Sequence, residues 1–95
     1  MTLEDLLKHK KEILKLAKKH GAKNVRVFGS VVVGTTNKNS DIDILVDIEP
    51  GTSLLDLGGL FMDLQELLKC PVDIAIARSL KPRIKDQILK QAVLL

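Results

Sequence analysis

The chain has 95 residues, 45% of them hydrophobic, with 15 basic and 12 acidic side chains and a net charge of +3. That is enough apolar material for one core, which excludes a disordered chain, and the length points to one domain over residues 1–95. Cys70 is the only cysteine, so an internal disulfide is excluded. No apolar run nears the roughly 18 residues of a membrane span, and the acidic start is unlike a secretion signal, so the expected setting is a reducing cytoplasm.

Thr2 and Asp5 form a capping-box-like start to a helix that carries Leu3, Leu6, Leu7, Ile13, Leu14 and Ala17 at helical spacing and stops at Gly21. Seven lysines between Lys8 and Lys23 fall mainly on its other face, and a solvated surface accounts for them. Without arginine-rich or aromatic stacking patterns beside them, they argue against a nucleic-acid partner. Asn24 to Phe28 reads as a short strand running into Gly29-Ser30. Val31 to Gly34 fits either a strand or a short helical turn, and Thr35 to Ser40 reads as a loop. Asp41 to Ile48 is the clearest strand, its even positions apolar and its odd positions mostly acidic. Thr52 or Ser53 caps a second helix through Leu68, with Gly58-Gly59 inside it. Val72 to Ile76 forms another strand, and Pro82 opens a last helix carrying Ile84, Ile88, Leu89 and Ala92. The order predicts an α/β (α+β) fold, a small mixed sheet flanked by helices. With only Phe28 and Phe61 aromatic, its core is packed from Leu, Ile and Val.

Alternate strand residues share a face, which sets Asp41 and Asp43 side by side, about 6.5–7 Å apart at Cα. Carboxylates so placed suit hard cations such as magnesium, which keep waters and bind substrate phosphates at their free positions. Two such ions can stabilise the attacking and leaving oxygens of a phosphoryl transfer. Asp73 joins the same patch if its strand pairs beside the first, as a further ligand or as the base for an attacking hydroxyl. Ordinary amphipathic alternation is the competing explanation, weakened by how poorly Asp suits a strand. Gly29 allows a sharp turn and a close ligand approach, and Ser30 offers a hydroxyl to phosphate oxygens.

Together, Val27-Phe28-Gly29-Ser30, ten residues and Asp41-Ile42-Asp43 resemble the motif of minimal nucleotidyltransferases in the DNA polymerase β-like superfamily. Ser40, Ile44-Leu45-Val46, Pro71-Val72-Asp73-Ile74 and Leu80-Lys81-Pro82 extend the resemblance over nearly the whole chain. It implies a polymerase β-like fold and a magnesium site, with two ions expected, at Asp41, Asp43 and Asp73. It implies that Gly29 and Ser30 hold the phosphates of ATP. It also implies transfer of AMP to a tyrosine of a HEPN-type toxin, with the chain acting as antitoxin. One departure stands out: the family often reads Gly-Ser-x-Ala-Arg-Gly, whereas Val31-Val32-Val33-Gly34 follows here. Without that cation, a binding module that neutralises its partner by contact alone is the alternative, and Arg26 or Arg78 are the candidate replacements.

Elsewhere, His9 and His20 read as surface residues, and Cys70 lacks a partner that would make it a nucleophile. Leu55, Met62, Val93, Leu94 and Leu95 exceed what one small core requires. They either pack over the sheet or dock a helical partner or a second copy, giving a hetero- or homo-oligomer.

Overall fold

The first helix begins where a reciprocal cap satisfies its free amides: the Thr2 hydroxyl accepts from the Asp5 N–H at 3.1 Å, and the Asp5 carboxylate accepts from the Thr2 N–H at 3.2 Å. This computed structural model describes residues 2–34 and 41–95, with the side chain of Val33 left aside. The loop expected at Thr35 to Ser40 lies outside the described residues.

The helix expected before Gly21 is divided into α1 (Leu3–Leu7) and α2 (Lys10–Lys19). At the junction the His9 N–H bonds to the Leu6 carbonyl at 2.9 Å, a tightened turn that apolar periodicity does not register. Leu6, Ile13 and Ala17 face inward on both sides of the break, while Lys10, Lys11, Lys15, Lys18 and Lys19 are exposed.

Strand β1 (Ala22–Phe28) leads into a four-residue helix, α3 (Ser30–Val33), which settles the question at Val31 in favour of a helical turn. Strand β2 (Ile42–Ile48) is followed by α4 (Leu54–Leu68), capped by a second reciprocal box in which Ser53 and Asp56 exchange bonds. Strand β3 (Val72–Ile76) passes through a 3-10 turn at Ala77–Ser79 into α5 (Pro82–Gln91), with Pro82 in the first turn as expected. Residues Val93–Leu94 form β4, a strand the sequence did not announce.

The sheet has four strands in the order β3-β2-β1-β4. β2 runs antiparallel to β1 and parallel to β3, and β4 closes the far side antiparallel to β1. The sheet is therefore mixed, and the α+β expectation holds. One face carries Val25, Val27, Ile42, Ile44, Val46 and Val72, packed beneath Ile13, Ala17, Leu60, Leu64 and Leu68. The opposite face, which carries Asp43 and Asp47, also holds Leu45, fully buried yet outside that main cluster.

Gly58 and Gly59 divide their duties. Gly59 faces His20, and a Cβ there would lie 2.8 Å from the imidazole Cε1. The missing side chain admits the ring, whose Nε2–H donates to the Asp63 carboxylate at 2.7 Å. His20 is thus a tie between α2 and α4, with its side chain only 16% exposed, rather than the plain surface residue expected.

Candidate active site

Three strand ends meet at one edge of the sheet. β1 arrives there with Phe28, and β2 and β3 depart from it with Ile42 and Val72. In the ladder Phe28 pairs with Asp43, and Asp43 pairs with Asp73. Paired residues project to the same side, so Asp43 and Asp73 stand on one rung of a parallel ladder. Asp41 precedes β2 by one residue and is exposed, as is Asp73, whereas Asp43 is half-buried.

This arrangement makes Asp43 hard to ionise. Burial raises its pKa first, and the negative charges of Asp73 and then Asp41 raise it further. Among the described residues, no three His, Cys, Asp or Glu side chains are gathered closely enough to hold a metal by themselves. The carboxylates share an edge without closing into a cage.

Gly29 stands directly against that group. Its φ of 78° and ψ of −152° lie in a region that side chains strongly disfavour. A Cβ built on it would lie 3.1 Å from the Asp43 Cγ and closer still to the Oδ2. Glycine is required twice over, by the backbone turn and by the room the carboxylate needs. Ser30, half-buried, then opens α3, where the Val32 N–H bonds back to the Gly29 carbonyl at 3.1 Å. The structure thus brings Gly29, Ser30, Asp43 and Asp73 to one edge, with Asp41 beside them. Sequence spacing pointed to these residue types. The contact between Gly29 and Asp43 had no signal of its own, because it depends on the β1–β2 register.

Neither candidate replacement for the missing cation serves this edge. Arg26 lies on the same face as Asp43 but extends a guanidinium nitrogen to the Asp47 carboxylate at 3.4 Å. Asp47 also accepts from the Asn24 side-chain amide at 2.8 Å, and that bond, with Arg26 beside it, holds its pKa below the usual range. Arg78 follows the C-terminal end of β3, the end away from Asp73. Two open cavities of about 340 Å³ lie away from this edge, around Gly21, the first bordered by Lys18, Lys23 and Glu49 and the second by His20 and Thr52. Among the described residues, no helix is long and apolar enough to cross a membrane.

Comparison with known proteins adds the family context. Residues 6–95 match the family model described as a nucleotidyltransferase domain. The protein adenylyltransferase MntA of Thermococcus cleftensis is 40% identical over 97 residues, spanning 98% of this chain and 95% of that protein. A solved structure of a candidate minimal nucleotidyltransferase is 44% identical with a TM-score of 0.91, covering 100% of this chain and 97% of the other. A solved toxin–antitoxin with AMP-PNP is 28% identical with a TM-score of 0.75, covering 90% of this chain and 70% of the other.

Proposed function

The chain belongs to the nucleotidyltransferase-domain family, and on that premise we propose that it transfers AMP from ATP to a tyrosine hydroxyl of a HEPN-type toxin, with magnesium, as that toxin's antitoxin. The observation that carries the reading is the rung shared by Asp43 and Asp73, with Asp41 beside it and Gly29 holding the space in front. The adenylyltransferase identity of the Thermococcus relative supports the reaction class, and the AMP-PNP of the toxin–antitoxin neighbour supports ATP and a toxin as reactants.

The donor set fits magnesium. Its ligands are hard oxygens, and the pKa of Asp43 is raised first by burial and then by the charges of Asp73 and Asp41, a charge surplus that a cation would relieve. Asp41, Asp43 and Asp73 would hold the metal, two ions being the expected number, and the remaining coordination positions would fall to water and phosphate. When bound, the metal neutralises charge that builds on the phosphate oxygens during transfer.

The chain's own residues take the other roles. Gly29 and Ser30 receive the terminal phosphates, the glycine through its backbone and the serine through its hydroxyl. The acceptor hydroxyl oxygen forms a bond to the α-phosphorus as the bond from that phosphorus to the bridging oxygen breaks, and pyrophosphate leaves. The hydroxyl proton passes to a carboxylate, for which exposed Asp73 is the candidate. The carboxylates stand at an edge of the sheet, with Asp41 and Asp73 exposed, which leaves the acceptor side of the reaction open to a partner.

Mass spectrometry of the toxin after incubation with the chain, ATP and magnesium tests this. AMP-sized increments on a toxin tyrosine are expected from wild type and none from Asp41→Asn with Asp43→Asn. The second reading, neutralisation by contact alone, is favoured by the apolar Val31-Val32-Val33 and by the engagement of Arg26 with Asp47. Protection that survives in the double variant, with no increments from wild type, would establish that reading and overturn the first.

A further inference from the structure

Helix α4 carries two sets of apolar side chains. Leu60, Leu64 and Leu68 are buried against the sheet, whereas Leu54, Leu55, Phe61 and Met62 are 81%, 88%, 37% and 68% exposed. At 3.6 residues per turn, the exposed four stand at about −40°, +60°, −60° and +40° around the axis, measured from Gly58. Gly58 is exposed, and nothing lies within 4 Å of where its Cβ would be. The stripe is therefore symmetric about a glycine, with large apolar residues three and four positions away on either side.

Such a stripe is its own complement. A two-fold axis through Gly58 lays an antiparallel copy so that Leu54 and Leu55 meet the second copy's Phe61 and Met62, twice, with glycines at the crossing. The missing side chains let the two backbones approach closely there. The four residues expose roughly 500 Å², at the upper end of apolar patches on monomers. Pairing two copies removes up to roughly 1,000 Å² of these side chains from water, the area at which a specific interface begins.

The position of the stripe also favours a second copy over the acceptor protein. Leu54 follows the turn at the C-terminal end of β2, whereas Asp43 and Asp73 stand near the N-terminal ends of β2 and β3. A protein presenting a hydroxyl to the carboxylates approaches from the other end. We infer that the outer stripe of α4 is a homodimer interface, two copies crossing antiparallel at Gly58 and leaving both carboxylate edges free.

Sedimentation equilibrium of the full chain over roughly 1–100 µM reads the association directly. Wild type is expected to dimerise reversibly, and Leu55→Glu with Met62→Glu to weaken the dimer at least tenfold. Both side chains face solvent in the monomer, so circular dichroism should show the variant folded. In a Cys70→Ser background, Leu55→Cys with Met62→Cys should give disulfide-linked dimers on oxidation, since these positions oppose only across the pair. A wild type that stays monomeric throughout overturns the proposal, as does a dimer indifferent to the two glutamates. Loss of toxin binding in the glutamate variant, with wild type alone monomeric, also overturns it and assigns the stripe to the toxin.

Discussion

Replacing the Asp43 carboxylate by an amide removes a charge that burial, Asp73 and Asp41 all oppose in the folded chain. The pKa of this group is raised by folding, so its ionisation costs stability as pH climbs through and above the unfolded value near 3.9. Asp43→Asn should therefore raise Tm at neutral pH, by about 2–4 °C for a gain of about 0.5 kcal/mol, a figure kept small because the side chain is only half-buried. That gain should vanish below the ordinary carboxylate range, where wild type is already neutral, while AMP transfer falls at least about 100-fold at neutral pH. Calorimetry across pH, set beside single-turnover assays, checks both halves. Asp47 behaves in the opposite sense: its lowered pKa gives stability above the unfolded value that is lost as pH falls through the folded one. At this scale the sequence was most readable for where Gly29, Ser30 and the aspartates stand, because each lies at the end of a strand whose register brings them to one edge. It was least readable for Arg26, whose choice of Asp47 over the carboxylate edge depends on the strand register and on the bulge between Lys23 and Arg26.

Elements with chemical punctuation were legible before the structure. Both reciprocal caps, Thr2 with Asp5 and Ser53 with Asp56, lie where hydroxyl and acid recur three residues apart, and Pro82 marks the first turn of α5. β4 was not legible, because two residues give no period to read. It exists because β1 offers a free edge, where Val93 and Leu94 pair with Val27 and Arg26 and the Leu95 N–H bonds to the Val25 carbonyl at 2.9 Å. That outcome resolves the surplus of apolar residues at the C-terminus toward packing on the sheet, with Leu95 partly buried against the core and Leu94 still 64% exposed. The two central glycines of α4 supply this scale's prediction. Gly58→Ala adds a methyl in open space and should stabilise by about 0.5–1 kcal/mol. Gly59→Ala should gain less, because its methyl displaces the His20 ring and weakens the bond to Asp63. Urea unfolding at protein concentrations below dimerisation separates the two.

Across the whole molecule, the sheet face opposite the main core is not simply a solvated one. Alternation in β2 assigns Leu45 to the acidic face, yet it is as fully buried as Ile44 on the core face. Leu45→Ala should therefore cost about 2–5 kcal/mol in denaturant unfolding. That is a large share of the roughly 5–14 kcal/mol expected for a chain of this length. The rung shared by Asp43 and Asp73 has a consequence in time. Its two members are thirty residues apart in the chain and meet only after α4 has crossed back to set β3 beside β2. A growing chain on the ribosome that has passed Asp43 but not β3 therefore carries half a site. On the proposed function, AMP transfer begins only once β3 has been made and paired beside β2, and a copy that stops before β3 would transfer none.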